Sequence, residues 1–214
     1  MMKCIQLALC ALGFSFLVSC DTAEQNELNT TPIPVPTRED TVLAMEMIRF
    51  NREVNASEAT GLRGVYNVPE MLSVVVLDSA PAALVAQKRA EAFAKIEDDI
   101  KYMGAEIDGS PGSIYYNNDL DNFKFECLML IREMPKLNPQ KSKIVVLEAN
   151  SMVIYNHKGA YRNLYESYAK IKAYADSAGL YQSGPMREFY IVSPIQTADS
   201  MAWLTRIMLP VAKK

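Results

Sequence analysis

The chain has 214 residues and a mass of 23.9 kDa, which is enough for one domain with a substantial core. Half of the residues are hydrophobic and 22% are charged, a balance typical of a folded globular protein rather than a disordered one. The net charge is −3 and the pI is near 5.3, so the chain lacks the basic excess that proteins use to bind phosphate backbones. Nucleic acid is therefore not expected as a partner.

The N-terminus has the organisation of a secretory signal. Lys3 supplies a positive charge, and residues 5–18 are mainly apolar but too few to form a stable membrane-spanning helix. This stretch ends in LVSC at 17–20, which resembles the lipobox of bacterial lipoproteins. The resemblance implies that residues 1–19 are a cleaved lipoprotein signal peptide. It also implies that Cys20 carries a lipid, which anchors the protein to a membrane of the bacterial cell envelope.

The next two segments lead into the folded body. Residues 20–40 contain three prolines, no aromatic residue and several acids, a composition typical of a flexible tether. Residues 41–70 are poorly specified, because the stretch from Leu43 to Arg49 fits a short helix or a short strand and glycine and proline interrupt the remainder of the segment. The folded domain is predicted to occupy residues 71–214.

The body contains an internal repeat with an offset of 75 residues. The segment EAFAKI at 91–96 aligns with ESYAKI at 166–171. Three further pairs keep the same offset: Gly104 and Gly179, Gly109 and Gly184, and Tyr115 and Tyr190. The halves, about 71–131 and 143–211, are therefore predicted to be structural duplicates that pack as a pseudo-two-fold pair.

Each half is predicted to form a strand, a helix and two further strands. The first half has strand Leu72–Leu77, a helix that ends at Gly104, and strands Ser113–Asn117 and Phe123–Ile131. The second half has strand Met152–Asn156, helix Tyr161–Ala178 before Gly179, and strands Arg187–Val192 and Trp203–Val211. A further strand, Lys143–Glu148, is expected to bridge the halves. The predicted class is α+β, with a duplicated β-α-β-β module, antiparallel sheet strands and two long helices on one face.

Three segments resemble the GyrI-like (gyrase-inhibitor-like) effector-binding domains. They are VIYNHKGAY at 153–161, GPMREFY at 184–190, and the closing strand at 203–211. The second is similar to the family's Gly-Pro-x-Arg-Glu-x-Tyr strand. The resemblance is strong across 143–211 and weaker across 71–131. It implies a central ligand cleft between the halves and small-molecule binding, because such domains are the drug-sensing parts of transcription regulators and also occur as stand-alone proteins.

Glu188 is the strongest candidate for a binding residue. Strand alternation predicts that Glu188 and Tyr190 share one face, whereas Arg187 and Phe189 share the other. A carboxylate in a cleft walled by tyrosines favours lipophilic cations, and each good cation–π contact adds about 0.5–2 kcal/mol. The family's motif glutamate falls on the same residue. The residues expected to line the cleft are Glu188, Tyr190, Tyr155, Tyr115, Trp203 and Tyr161.

Two other functions are open at this point. Some GyrI-like proteins hydrolyse strained electrophiles, and here Glu188 would act as general base while Tyr155 or Tyr190 polarises the leaving oxygen. A protein-interaction module of the envelope is the third possibility. Glu126, the other carboxylate within a predicted strand, could also face the cleft, because the parity of its strand is uncertain.

Metal and cofactor chemistry has little support in the sequence. His157, the single histidine, has no ligand-type residue beside it and is expected in a surface turn, with haem ligation as a minor alternative. Cys127 has no disulfide partner if Cys20 is lipidated, and it is predicted to be a small buried apolar residue. No phosphate-binding glycine loop, Ser-His-Asp set or Cys-x-x-Cys pair is present. No metal and no cofactor are therefore expected.

Overall fold

The computed structural model describes residues 38–55 and 59–214. The helices are α1 (Arg38–Phe50), α2 (Val85–Met103) and α3 (Leu164–Ser177), and a π-helical turn, Asn51–Asn55, continues α1. The strands are β1 (Gly61–Val68), β2 (Met71–Ala80), β3 (Gly112–Tyr115), β4 (Phe123–Leu130), β5 (Lys143–Leu147), β6 (Asn150–Lys158), β7 (Leu180–Gln182), β8 (Met186–Val192) and β9 (Leu204–Lys213). The predicted signal peptide, Cys20 and all but the last residues of the predicted tether lie outside the described residues.

One large antiparallel sheet forms the centre of the fold. Its strands follow the order β1-β6-β9-β8-β3-β4-β2-β5, and β7 pairs with the end of β9. The fold is α+β, as predicted. In the described part of the chain, no helix is both long enough and apolar enough to cross a membrane.

The two halves of the sheet are related by the repeat found in the sequence. Counted inward from the two edges of the sheet, the strands of the two halves correspond: β1, β6, β9 and β8 from one edge, and β5, β2, β4 and β3 from the other. The halves meet where β3 pairs with β8. In this pair Ser113 lies opposite Glu188, its partner under the 75-residue offset, so the pseudo-two-fold axis passes between them. A Cβ atom on the neighbouring Gly112 would lie 2.5 Å from the carbonyl oxygen of Glu188, so glycine permits this close approach.

The edge strands differ from the prediction. Strand β5 does not bridge the halves, because it pairs with β2 at an outer edge of the sheet. The segment 41–70 is equally part of the fold, since it supplies most of α1 and strand β1, which pairs with β6 at the opposite edge. The first repeat therefore gains β5, which comes just before the second repeat, and the second repeat gains β1, which comes just before the first. These pairings satisfy backbone groups of β2 and β6 that would otherwise lie at exposed edges.

The sheet is covered on both faces. Helices α2 and α3 pack on one face, each over its own half, with cores centred on Ile96 and Ile171 respectively. The π-helical turn and the end of α1 pack on the other face through Phe50 and Val54. Both long helices end as predicted, because Gly104 and Gly179 adopt left-handed conformations with φ of 64° and 69°.

Candidate functional site

The candidate site lies at the centre of the sheet, on the face that carries α2 and α3. Strand β8 alternates as predicted, so Glu188 and Tyr190 point to this face. Phe189 points to the opposite face and packs in the core beneath α1. The central position of β8 thus brings the acid between the two halves of the molecule.

Three tyrosine hydroxyls hold the Glu188 carboxylate. Tyr115 and Tyr190 donate to Oε2 at 3.1 and 3.0 Å, and Tyr168 of α3 donates to Oε1. The hydroxyls of Tyr115 and Tyr190 are also 3.0 Å apart. Glu188 is only 1% exposed, and no ion pair in the described part of the chain includes it. The negative charge is therefore buried and is held by neutral donors.

Burial, together with the nearby Glu188 charge, keeps the three phenols protonated. Burial raises the pKa of Tyr115 and of Tyr168 well above the ordinary tyrosine value, and the nearby Glu188 charge raises both further. Burial likewise raises the pKa of Tyr190, with further contributions from Tyr115 and Glu188. All three hydroxyls remain hydrogen-bond donors to the carboxylate across the physiological pH range.

An aromatic row leads from Glu188 towards the surface. The ring of Tyr161 lies 5.8 Å from that of Tyr190 and 4.8 Å from that of Trp203, measured between centroids. The indole Nε1 of Trp203 donates to the carbonyl oxygen of Thr197 at 2.9 Å, which fixes its orientation. Tyr161 and Trp203 are only partly buried, so they form the outer end of the row.

Arg89 of α2 brings a positive charge to the site. Its guanidinium carbon lies 4.9 Å from the centroid of the Tyr190 ring, a cation–π geometry, and its buried Nε has no hydrogen-bond partner. Burial by itself lowers the pKa of Arg89, but the acidic groups beside it, Glu188 among them, outweigh burial and hold the pKa above its ordinary value. Arg89 therefore stays protonated.

Comparison with protein families matches this chain to one of them. The sequence model of the GyrI-like small molecule binding domain matches residues 52–212. The chain belongs to this family. The matched range begins within the π-helical turn, so the GyrI-like domain includes β1, which the sequence analysis had left outside its boundary.

Solved structures share the GyrI-like fold. The C-terminal domain of EcmrR is 20% identical, with a TM-score of 0.63 over 70% of this chain and 96% of that chain. An EcmrR–DNA complex is 19% identical, with a TM-score of 0.63 over 82% of this chain and 69% of that chain. A structure described as a hydrolase from Listeria innocua is 18% identical, with a TM-score of 0.55 over 76% of this chain and 98% of that chain. None of the curated proteins compared with the chain matches it significantly.

Five of the six predicted site residues come together around Glu188, and Tyr155 does not. Those that meet are Glu188, Tyr190, Tyr115, Tyr161 and Trp203. Tyr155 lies two strands from Glu188, with Ile207 of β9 between them, and it packs in the core beneath α3. No contact joins Glu188 to Tyr155, so the structure does not assemble that hydrolytic pair.

The sequence analysis missed two residues of the site, Tyr168 and Arg89. Tyr168 lies on the apolar face of α3, but the repeat distinguishes it from an ordinary core residue. Under the 75-residue offset, Tyr168 replaces Phe93 and Glu188 replaces Ser113, so the acid and its donor occur together in one half only. Arg89 interrupts the apolar face of α2 four residues before Phe93. A cation at such a position indicates a polar partner on the sheet.

Three polar residues have other roles. His157 is not in a surface turn: it is 8% exposed within β6, and its Nδ1 lies 2.8 Å from Oγ of Ser167. Glu126 lies on the face of the sheet opposite Glu188, beside Ile114 in the register, and accepts a hydrogen bond from Tyr116 at 2.8 Å. Cys127 is buried, as predicted, and burial raises the pKa of its thiol. Among the residues described, no cluster suits a metal ion.

Proposed function

We propose that the protein binds an amphipathic small molecule that carries a positive charge, and that the cation lies beside Glu188 between α2 and α3. One observation carries the proposal. A carboxylate that is 1% exposed has only phenolic hydroxyls as hydrogen-bond partners, and no ion pair of the described residues includes it. Burying such a charge is costly, and a bound cation offsets part of that cost.

The aromatic row supports the same ligand class. Tyr161 and Trp203 form the partly exposed end of the aromatic row, and Tyr190 extends the row to the acid. Such rings bind the apolar parts of a ligand and attract its positive charge. Because the tyrosine hydroxyls cover the carboxylate, a ligand reaches Glu188 only by displacing at least one of them. We expect Tyr168 to be displaced, because it is on helix α3, whereas Tyr115 and Tyr190 are fixed in the sheet.

A pair of isosteric ions tests this proposal. The purified full chain is titrated with tetraphenylphosphonium and with tetraphenylborate, which have the same shape and opposite charge. Trp203 is the only tryptophan, so its fluorescence reports binding in this cleft alone. We expect saturable quenching by the phosphonium and none by the borate. Equal responses to both ions, or no saturable response to the phosphonium, would show that the cleft does not select cations.

Replacing Arg89 by glutamine is expected to strengthen phosphonium binding about three- to tenfold. Arg89 occupies one face of the Tyr190 ring and repels a second cation, so its removal frees the ring and lowers the repulsion. The Trp203 titration measures the change. Lys95→Gln is the matched control, because Lys95 is an exposed cation on the same helix. Weaker binding by a folded Arg89→Gln variant would show instead that Arg89 supports the ligand.

We also propose that the protein is a lipoprotein of the bacterial envelope, anchored through Cys20. The support is the apolar segment at 5–18 followed by LVSC at 17–20. Metabolic labelling with a radioactive fatty acid tests it: Cys20→Ser should abolish incorporation, and Cys127→Ser, at a buried thiol, should not. Full labelling of the Cys20→Ser variant would refute the anchor.

A further inference from the structure

A cavity lies on the face of the sheet opposite Glu188, between the sheet and the junction of α1 with the π-helical turn. Its volume is about 720 Å³, within the range of about 300–1,000 Å³ found for small-molecule pockets. Strand β8 separates the two sites. Glu188 and Tyr190 face the cleft, whereas Phe189 and Ile191 line the cavity.

Apolar side chains form most of the cavity wall. Met71, Leu130, Phe189, Ile191 and Met208 line it from the sheet. Met47 of α1 and Phe50 at its end line the opposite side. Such a lining suits a hydrocarbon chain. Among the charged residues of the wall, the buried one is Arg206 of β9, which is 4% exposed.

The buried Arg206 charge has only neutral partners. Its guanidinium donates to Oδ1 of Asn156 at 3.2 Å, to Oδ1 of Asn55 at 2.8 Å and to the carbonyl oxygen of Val54 at 2.7 Å. These bonds use three of the five N–H groups that a guanidinium carries. No ion pair within the described residues includes Arg206. Burial, and then the nearby Arg63 charge, lower the pKa of Arg206 to about 10, in agreement with a site that lacks a negative charge.

The π-helical turn positions this cation at the cavity wall. The turn supplies both Asn55 and the Val54 carbonyl, and Asn55 is itself oriented by a 3.1 Å hydrogen bond from its Nδ2 to Oδ1 of Asn51. Both asparagines line the cavity. Turns of this type are rare and occur frequently at functional sites.

We infer that this cavity binds an aliphatic monocarboxylate, with its carboxylate on Arg206 and its chain along Phe189 and Met208. Charge complementarity at a buried guanidinium and the apolar wall together determine this class. Exposed Glu70, Asp108 and Arg132 also line the cavity, and Arg132 forms an ion pair with Glu106, so the two acids disfavour multiply charged anions such as phosphate esters. The inference is independent of the cation proposal, because the two sites lie on opposite faces of the sheet.

Calorimetric titration of the full chain with decanoate tests the inference, with 1-decanol as the neutral probe. We expect saturable decanoate binding that leaves Trp203 fluorescence unchanged, and at least tenfold weaker binding of decanol. Arg206→Gln should weaken decanoate binding at least tenfold. Arg52→Gln is the matched control, because Arg52 is in the same π-helical turn but its side chain is 74% exposed. It should bind decanoate within about twofold of the wild type.

A second variant keeps the test decisive if Arg206→Gln does not fold. Ile191→Trp fills the cavity without changing its charge, and it should also weaken decanoate binding at least tenfold. The inference is overturned if the wild type does not bind decanoate saturably, or if folded Ile191→Trp binds it within about twofold of the wild type. Decanoate that quenches Trp203 and competes with the phosphonium would lie in the Glu188 cleft, which also overturns the inference.

Discussion

Replacing Glu188 by glutamine is expected to weaken tetraphenylphosphonium binding at least tenfold, which corresponds to about 1.4 kcal/mol or more. Glutamine retains the size of the side chain and an acceptor for the hydroxyls of Tyr115 and Tyr190, so the local packing is preserved. The loss therefore reports the charge that faces the cation. Titration of Trp203 fluorescence on the variant and the wild type gives the ratio of dissociation constants.

The matched control for this prediction is Glu126→Gln. Glu126 is on the next strand but one from Glu188, with the same charge, and it bonds to Tyr116 on the opposite face of the sheet. The same substitution there should leave phosphonium affinity within about twofold of the wild type. If both variants lose phosphonium affinity equally, the loss comes from the change in the protein's net charge and not from the position of Glu188. If folded Glu188→Gln binds as tightly as the wild type, the carboxylate is not the cation's partner.

Replacing Asp99 by alanine is expected to lower the free energy of unfolding by about 2–4 kcal/mol. Asp99 of α2 is 2% exposed, and its carboxylate accepts hydrogen bonds from the backbone N–H groups of Gln140, Lys141 and Ser142 at 3.0, 2.8 and 2.8 Å. The Ser142 hydroxyl donates a fourth, at 2.6 Å. These bonds hold the loop between β4 and β5, and alanine would leave the donors without their partner. Urea denaturation at pH 7 measures the change.

The stability that Asp99 confers should depend on pH. Burial by itself raises the pKa of Asp99, but the bonds from Ser142, Lys141 and Gln140 outweigh it and hold the pKa below its ordinary value. A lowered pKa in the folded state gives stability that is full above the unfolded value, about 3.9, and is lost as the pH falls through the folded value. The difference between the wild type and Asp99→Ala should therefore shrink below about pH 4.

Asp98 provides the control for this second prediction. It precedes Asp99 on α2, and its carboxylate forms an exposed ion pair with Lys141 at 2.6 Å. Because exposed pairs contribute little, Asp98→Ala should change stability far less. A loss of equal size in both variants would show that helix charge, rather than the anchored loop, accounts for the effect. An Asp99→Ala variant as stable as the wild type would contradict the role assigned to these bonds.

Local features of the fold could be predicted from the sequence. The 75-residue offset identified both modules, and the glycines at 104 and 179 located the ends of the long helices. Alternation along 187–190 placed Glu188 and Tyr190 on the same face, because successive side chains of a strand point to opposite faces of the sheet. Each of these predictions depends on residues close in sequence or on the repeat.

The remaining features depend on which strands pair, and periodicity does not encode that. The edge position of β5 and the joining of β1 to β6 are set by long-range pairing. The same uncertainty placed Tyr155 in the cleft, although two strand spacings, about 9.5 Å, separate it from Glu188. The sequence analysis ends the strand at Asn156 and expects His157 in a surface turn, whereas β6 continues to Lys158 and buries His157 with its Nδ1 beside Ser167 of α3.

A crystal structure of the protein with tetraphenylphosphonium tests the central claim most directly. We predict that the phosphorus lies between α2 and α3 beside Glu188, that Tyr161 and Trp203 contact the phenyl rings, and that the Tyr168 hydroxyl has left Oε1. A phosphonium located elsewhere, with the three tyrosine hydroxyls still on Glu188, would contradict it.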